Sequence, residues 1–172
     1  MDGTLVASPG GLIDGNDDTD FQAYDPDADA SYLIARLSAQ GWWSPGRDWR
    51  LAFHGTSQAA SSRLLPVEQF AAGGWQTVRG VAEREFFADG GWQGSLELYT
   101  PAVMLRDLSE IRFLCFIDQA TLQNRGANSE YLSGAGLGVR MKVSESMDLR
   151  ADYGWRIDDH GGRVHFGLQV NF

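Results

Sequence analysis

The chain has 172 residues, with 14 Lys and Arg against 23 Asp and Glu, for a formal net charge of −9. That length suffices for one domain with a sizeable core, while the acidic balance and the lack of any basic stripe exclude nucleic acid as a partner class. The single Cys115 excludes an internal disulfide framework, and no run of about twenty apolar residues offers a transmembrane helix.

Met1-Asp2-Gly3 lacks the basic start and apolar segment of a signal peptide. This leaves a cytosolic protein or a fragment of a longer chain as the two expectations. Many Gly, Asp and Asn turn residues and 12% aromatics favour an all-β chain.

In chain order, residues 4–8 read as a first short strand. Residues 14–20 are acidic. Asp14, Asn16, Asp18 and Asp20 have the spacing of a calcium loop, with Asp25 at the twelfth position. The sixth position is Thr19 and not Gly, the twelfth is Asp and not Glu, and flanking helices are not apparent. The stretch therefore reads as a solvated external loop.

Period-two alternation then governs the chain. Leu33, Ala35, Leu37 and Ala39 oppose Ile34, Arg36, Ser38 and Gln40. Trp49, Leu51 and Phe53 oppose Arg50, Ala52 and His54. Trp92, Gly94, Leu96 and Leu98 oppose Gln93, Ser95, Glu97 and Tyr99. Residues 111–118 form a strand apolar on both faces until its end. Ala135, Leu137, Val139 and Met141 oppose Gly134, Gly136, Gly138, Arg140 and Lys142. Met147 to Trp155 puts Leu149, Ala151 and Tyr153 against Arg150, Asp152 and Gly154. The last segment sets Val164, Phe166, Leu168, Val170 and Phe172 against Arg163, His165, Gly167, Gln169 and Asn171.

The total is about eight strands, many near the length of a membrane barrel strand. A soluble sandwich would show the same alternation with its polar face in water. Two features favour a membrane barrel. Long connections (14–29, 59–88, 120–130 and 157–162) alternate with short ones (44–47, 101–110 and 144–146). Aromatics also gather near strand ends, at Trp42, Trp43, Trp49, Tyr99, Tyr153, Trp155 and Phe172, where amphipathic rings suit membrane interfaces. An arginine at the tip of a glycine-containing loop, Arg79 between Gly73-Gly74 and Gly80, suggests a loop held inside that barrel.

His54, His160 and His165 do not form a metal-ligand spacing, and no nucleophile elbow or phosphate loop is present. No catalytic residue, metal or cofactor is expected, and the chain is read as a non-enzyme.

The ordered set Gly10-Gly11, Gly15-Asn16-Asp17-Asp18, Glu68-Gln69-Phe70, Gly73-Gly74, Thr77-Val78-Arg79-Gly80, Leu96-Glu97-Leu98-Tyr99-Thr100-Pro101, Phe116-Ile117-Asp118, Gly134 to Arg140 and Asp152-Tyr153-Gly154 resembles the outer-membrane transporters of two-partner secretion, the ShlB/FhaC/HecB type of haemolysin secretion and activation protein. The resemblance covers nearly the whole chain. It departs from the family at Val81, where an aromatic is usual, at Ala120, where a glycine is expected, and at Gly90, where an arginine is common.

The resemblance implies an antiparallel transmembrane β-barrel portion: the second half of a sixteen-stranded barrel, without the periplasmic receptor domains and signal. It implies a loop tip, Val78-Arg79-Gly80, folded into the lumen with Arg79 reaching Asp118. Gln93, Ser95, Glu97, Arg140, Arg150, Asp152 and His165 would be lumen-facing, and Phe172 would be the assembly signal read by the outer-membrane barrel-assembly machinery. The implied partners are a large β-rich exoprotein and outer-membrane lipid, in the bacterial outer membrane. A barrel of the protein-assembly branch and a small structural or adhesive eight-stranded barrel remain open at this stage, as does a soluble lipocalin-like binder.

Overall fold

The computed structural model describes residues 1–106, 109–126, 128–159 and 161–170. Its main element is an antiparallel sheet in the order β1-β2-β3-β6-β8-β9-β10-β11, with β7 also paired to β8. The strands are β1 (Asp2–Pro9), β2 (Ser31–Gly46), β3 (Trp49–Ala60), β6 (Gly90–Tyr99), β7 (Val103–Arg106), β8 (Ser109–Gln123), β9 (Glu130–Ser144), β10 (Met147–Arg156) and β11 (Gly162–Val170). Neighbours in the sheet follow chain order, as expected of a meander built from hairpins. Among the described residues β1 and β11 do not pair, so the sheet is open.

Turn chemistry sets the short connections. Arg47 and Asp48 both take positive φ, 52° and 61°. This twist matches two twisted strands and joins β2 to β3 with only two residues between them. Pro101 has no N–H to give to a ladder, and the line of β6 breaks there before β7 resumes pairing with β8. The expected long connection at 120–130 is shorter than anticipated, because β8 continues to Gln123.

The acidic stretch is also more ordered than its composition suggests. Asp17 caps a short helix, α1 (Asp18–Gln22), in a reciprocal capping box with Asp20. Asp18 accepts the Ala30 amide at 2.9 Å. These carboxylates serve backbone N–H groups, and among the described residues no group of side chains is placed to hold a metal ion.

The Asp25 carboxylate is held below the usual carboxylate range, first by the Asp27 amide and also by Arg63, against partial desolvation. Arg63 Nε donates to it at 2.9 Å. A depressed pKa means the tie is intact at neutral pH and is lost as pH falls through that lowered value. Protection of the Asp27 amide, relative to its intrinsic exchange rate at each pH, is therefore expected to fall only at acidic pH, and Asp25→Asn should remove that pH dependence.

Polarity is inverted across the sheet. Leu96, Leu149 and Leu168 are 44%, 39% and 62% exposed, whereas Asp118 and Asp152 are 0% and 1% exposed. The outer face also carries Leu37, Phe53, Ile117, Leu137, Tyr153 and Phe166 in the open. Cys115 is exposed on this face, paired in register with Leu98 and Leu137.

The 61–89 segment, which contains the small β4 (Phe70–Ala72)–β5 (Phe86–Ala88) hairpin, lies on the other face. Ala72, Val78, Val81 and Ala88 from this loop form a dry cluster with Ala120, Leu122 and Leu132 of the wall. This explains why β8 is apolar on both sides: its inner apolar residues pack against the loop.

Candidate functional site: a buried arginine seat

The loop tip is shaped by backbone freedom. Gly73 and Gly80 take φ of 109° and 100°, a region costly for residues with a Cβ. The Gly73 amide donates to Thr77 Oγ1 at 2.8 Å, and the Val81 amide closes a tight turn on Val78 O at 3.3 Å. This turn points Arg79 into the wall, where it is 2% exposed.

Four of the five guanidinium N–H groups find acceptors there. Nε and Nη2 donate to the two oxygens of Asp118 at 2.8 and 2.7 Å. Nη1 donates to Glu97 at 2.5 Å and Nη2 also to Ser95 at 2.9 Å. The Arg79 amide adds a bond to Asp118 at 3.0 Å, and Ser95 Oγ donates to the same carboxylate at 2.6 Å. The ring centroid of Phe116 lies 3.4 Å from the Arg79 guanidinium carbon, adding a cation–π contact. A bidentate fork with most of its remaining donors hydrogen-bonded is the condition under which a buried ion pair is tolerated.

Around this pair lies a balanced network. Asp152 accepts Arg140 and Arg150, each at 2.8 Å, and stands 3.9 Å from Arg79. Glu97 also takes the Tyr99 hydroxyl at 2.5 Å. Three guanidinium groups thus face the carboxylates of Glu97, Asp118 and Asp152.

The alternation of β6, β8, β9 and β10 places all of these on one face, as their parity in the sequence implies. Ser95 and Glu97 bind Arg79 directly, while Arg140 and Arg150 bind the buried Asp152 and keep 22% and 27% of their side chains exposed.

Gln93 and His165 share that face without joining the cluster. His54 Nε2 lies 3.3 Å from Gln76 O and donates to it in the tautomer that carries the proton on that nitrogen. Phe172 and His160 lie outside the described residues.

Two further features escaped the sequence reading. The first is a slot of glycines. A Cβ on Gly154 would sit 2.7–2.8 Å from the Arg79 carbonyl carbon, Arg79 Cβ and the Gly80 amide. One on Gly134 would collide with the Arg79 carbonyl oxygen, and one on Gly136 with the Phe116 ring. The signal was present as glycines repeating at period two on the polar face. Only the packed loop shows that Gly134 and Gly154 make room for its backbone, and Gly136 for the Phe116 ring beneath Arg79.

The second is the loop's stem. Arg36 reaches Gln58 and Glu68, each at 2.7 Å, and Gln58 donates to the Glu68 and Asp89 carbonyls. Asp89, 3% exposed, accepts the Leu64 amide at 2.9 Å and the Arg125 amide at 3.1 Å. It thereby joins both ends of the loop to the β8–β9 connection. Asp89→Ala would leave two amides without acceptors, at about 1–3 kcal/mol for each one kept from water. Faster hydrogen exchange at Leu64 and Arg125, with the Arg79 seat unchanged, is the expected result.

The family model for the haemolysin secretion/activation protein ShlB/FhaC/HecB matches residues 11–141. The chain belongs to this family, the transporters of two-partner secretion. Among solved structures, CdiB from Escherichia coli is similar over 83% of this chain and 28% of its own, with TM-score 0.72 and 22% identity. CdiB from Acinetobacter baumannii is similar over 83% and 27%, with TM-score 0.66 and 21% identity. The chain thus spans under a third of either structure, and the likeness is one of fold: an all-β antiparallel barrel wall. A comparison with curated protein sequences gave no match.

The departures at Val81 and Ala120 fall together in this ShlB/FhaC/HecB-family chain. Both lie in the dry cluster between loop and wall.

Proposed function

We infer that this chain is the carboxyl-terminal part of an outer-membrane barrel that exports a large β-rich exoprotein of the haemolysin or adhesin type, with residues 61–89 forming a loop seated in the lumen. The observation that carries this reading is the inverted sheet: apolar side chains cover one face, and a buried ion-pair network with a bound loop covers the other. In water the exposed face would be a large apolar patch of the kind soluble proteins avoid; in lipid it is satisfied.

The strand edges β1 and β11 are closed by the remainder of the barrel, since unpaired strand backbone in hydrocarbon costs several kcal/mol per group. The chain performs transport and no covalent chemistry. Folding of the exported polypeptide outside the cell supplies direction. Its partners are that exoprotein, outer-membrane lipid and, during biogenesis, the barrel-assembly machinery.

The test uses the full-length transporter in cells that make its exoprotein. Leu96→Arg, on the outer face, is expected to cost about 2–4 kcal/mol of insertion if it sits near the bilayer midplane, and both the heat-modifiable barrel and secretion should be lost. Gln40→Arg, on the inner face, should leave the barrel in the membrane. Equal insertion of the two variants would rule out lipid on the outer face.

A further inference from the structure

On one side the loop is fully engaged with the wall. Toward β6, β8, β9 and β10 it is filled by the Arg79 network, the glycine slot and the dry cluster. Toward β1, β2, β3 and the start of β6, a cavity of about 450 Å³ lies between the loop and the wall.

Register aligns four polar side chains across this cavity. Asp2 pairs with Ser38, Ser38 with Thr56, and Thr56 with Gln93, and all four line it. Thr56 Oγ1 and Gln93 Oε1 are shielded from solvent and have no hydrogen-bond partner. Among the described residues one other side-chain atom is in that state, His165 Nε2 on β11, which does not line this cavity. Buried polar atoms are almost always paired, so two orphans in one register row, on side chains that line one cavity, mark polar groups that a rotation of each side chain would turn toward a hydrogen-bonding occupant. An amide oxygen accepts N–H donors, and a hydroxyl both accepts and donates. The extended backbone of a polypeptide offers both kinds of group along its length.

We propose that the exported polypeptide passes along the β1–β2–β3–β6 wall, beside the seated loop, with Ser38, Thr56 and Gln93 meeting its backbone amides. This rests on the transport reading above and adds a definite path to it. The Arg79 seat then need not open for passage, because it lies on a different part of the wall, whereas the Arg36–Glu68 and Gln58–Glu68 ties at the edge of this cavity part to let the chain by. Gln69 and Arg84 of the loop form the other side of the same cavity.

The test is site-specific photocrosslinking in cells making the full-length transporter and its exoprotein. The probe is p-benzoylphenylalanine, placed singly at Ser38, Thr56 and Gln93 and, for comparison, at Arg163 on the inner face of β11. Heat-modifiable migration checks that each variant has folded. Adducts between transporter and exoprotein that are severalfold more abundant from Ser38, Thr56 and Gln93 than from Arg163 are expected. Equal yields, a larger yield from Arg163, or no adduct during active secretion would overturn the proposal. If the unsubstituted transporter inserts but exports nothing, the transport reading fails and the path falls with it. As a second measurement, Thr56→Trp should fill the cavity and lower secretion severalfold while slow exchange at Arg79 and Val81 is retained. Unchanged secretion by that variant would also overturn it.

Discussion

Arg79→Glu is expected to expel the loop tip from its seat and to stop export while the barrel stays in the membrane. The wild-type guanidinium neutralises Asp118 at 2.7 Å and Glu97 at 2.5 Å, in a site where Asp118 is fully buried. Removing one partner of such a buried pair costs roughly 3–5 kcal/mol, and the reversed charge adds repulsion among three carboxylates. Very little else fixes the tip: the dry cluster is built from Ala and Val on the loop side apart from Phe86 at its edge. The strands are held by their own ladders, so the sheet should survive.

Hydrogen exchange at residues 78–81 should approach that of an open loop, and secretion should be lost with normal heat-modifiable migration. Arg79→Lys gives the intermediate case. An ammonium keeps the charge but lacks the planar fork that serves both oxygens of Asp118 while reaching Glu97 and Ser95. A variant Arg79→Glu with slow exchange at Val81 and full secretion would contradict the seat's role.

Gly154→Val should have a comparable effect without touching any charge. Its Cβ would lie within 2.8 Å of backbone and Cβ atoms of the loop tip, atoms that cannot rotate away as a flexible side chain would. Overpacking of this kind costs about 1–3 kcal/mol. The least bound partner gives way, and that is the tip and not the β9–β10 ladder. Trypsin provides the readout: Arg84 is exposed in the wild type, whereas Arg79 is sealed. Cleavage after Arg79 should appear only in the variant. Gly94→Ala is the control, since its nearest neighbours would be at an ordinary 3.6 Å. Equal trypsin patterns for Gly154→Val and wild type would show that the slot is not required.

Much of this was legible in the sequence because side-chain parity along a strand is local. The alternation at Leu96, Leu149 and Leu168 assigned those residues to the face opposite Glu97, Arg150 and His165, and the structure keeps that division. The glycine-framed Arg79 and the acid at Asp118 stood out as a pair through the family resemblance. The helix α1 was missed because its helical run is only five residues long and carries no periodic apolar face. It is held instead by Asp17 and Asp20 acting as caps.

What the sequence alone determined was which residues share a face, where the strands turn, and that a loop with an arginine at its tip interrupts β3 and β6. The tertiary structure decided which face the loop covers and which side chains converge on it. Ser95, Glu97, Phe116 and Asp118 meet Arg79 because the β6–β8 register sets Ser95 opposite Asp118 and Glu97 opposite Phe116. The β9 and β10 registers bring Gly134 and Gly154 beneath the same tip. Parity repeats every two residues and says nothing of register; a sideways slip of two residues keeps every face intact and dissolves the site. That choice is made by the turns, the break at Pro101 and the packing of the loop itself, all of which act across strands distant in the chain.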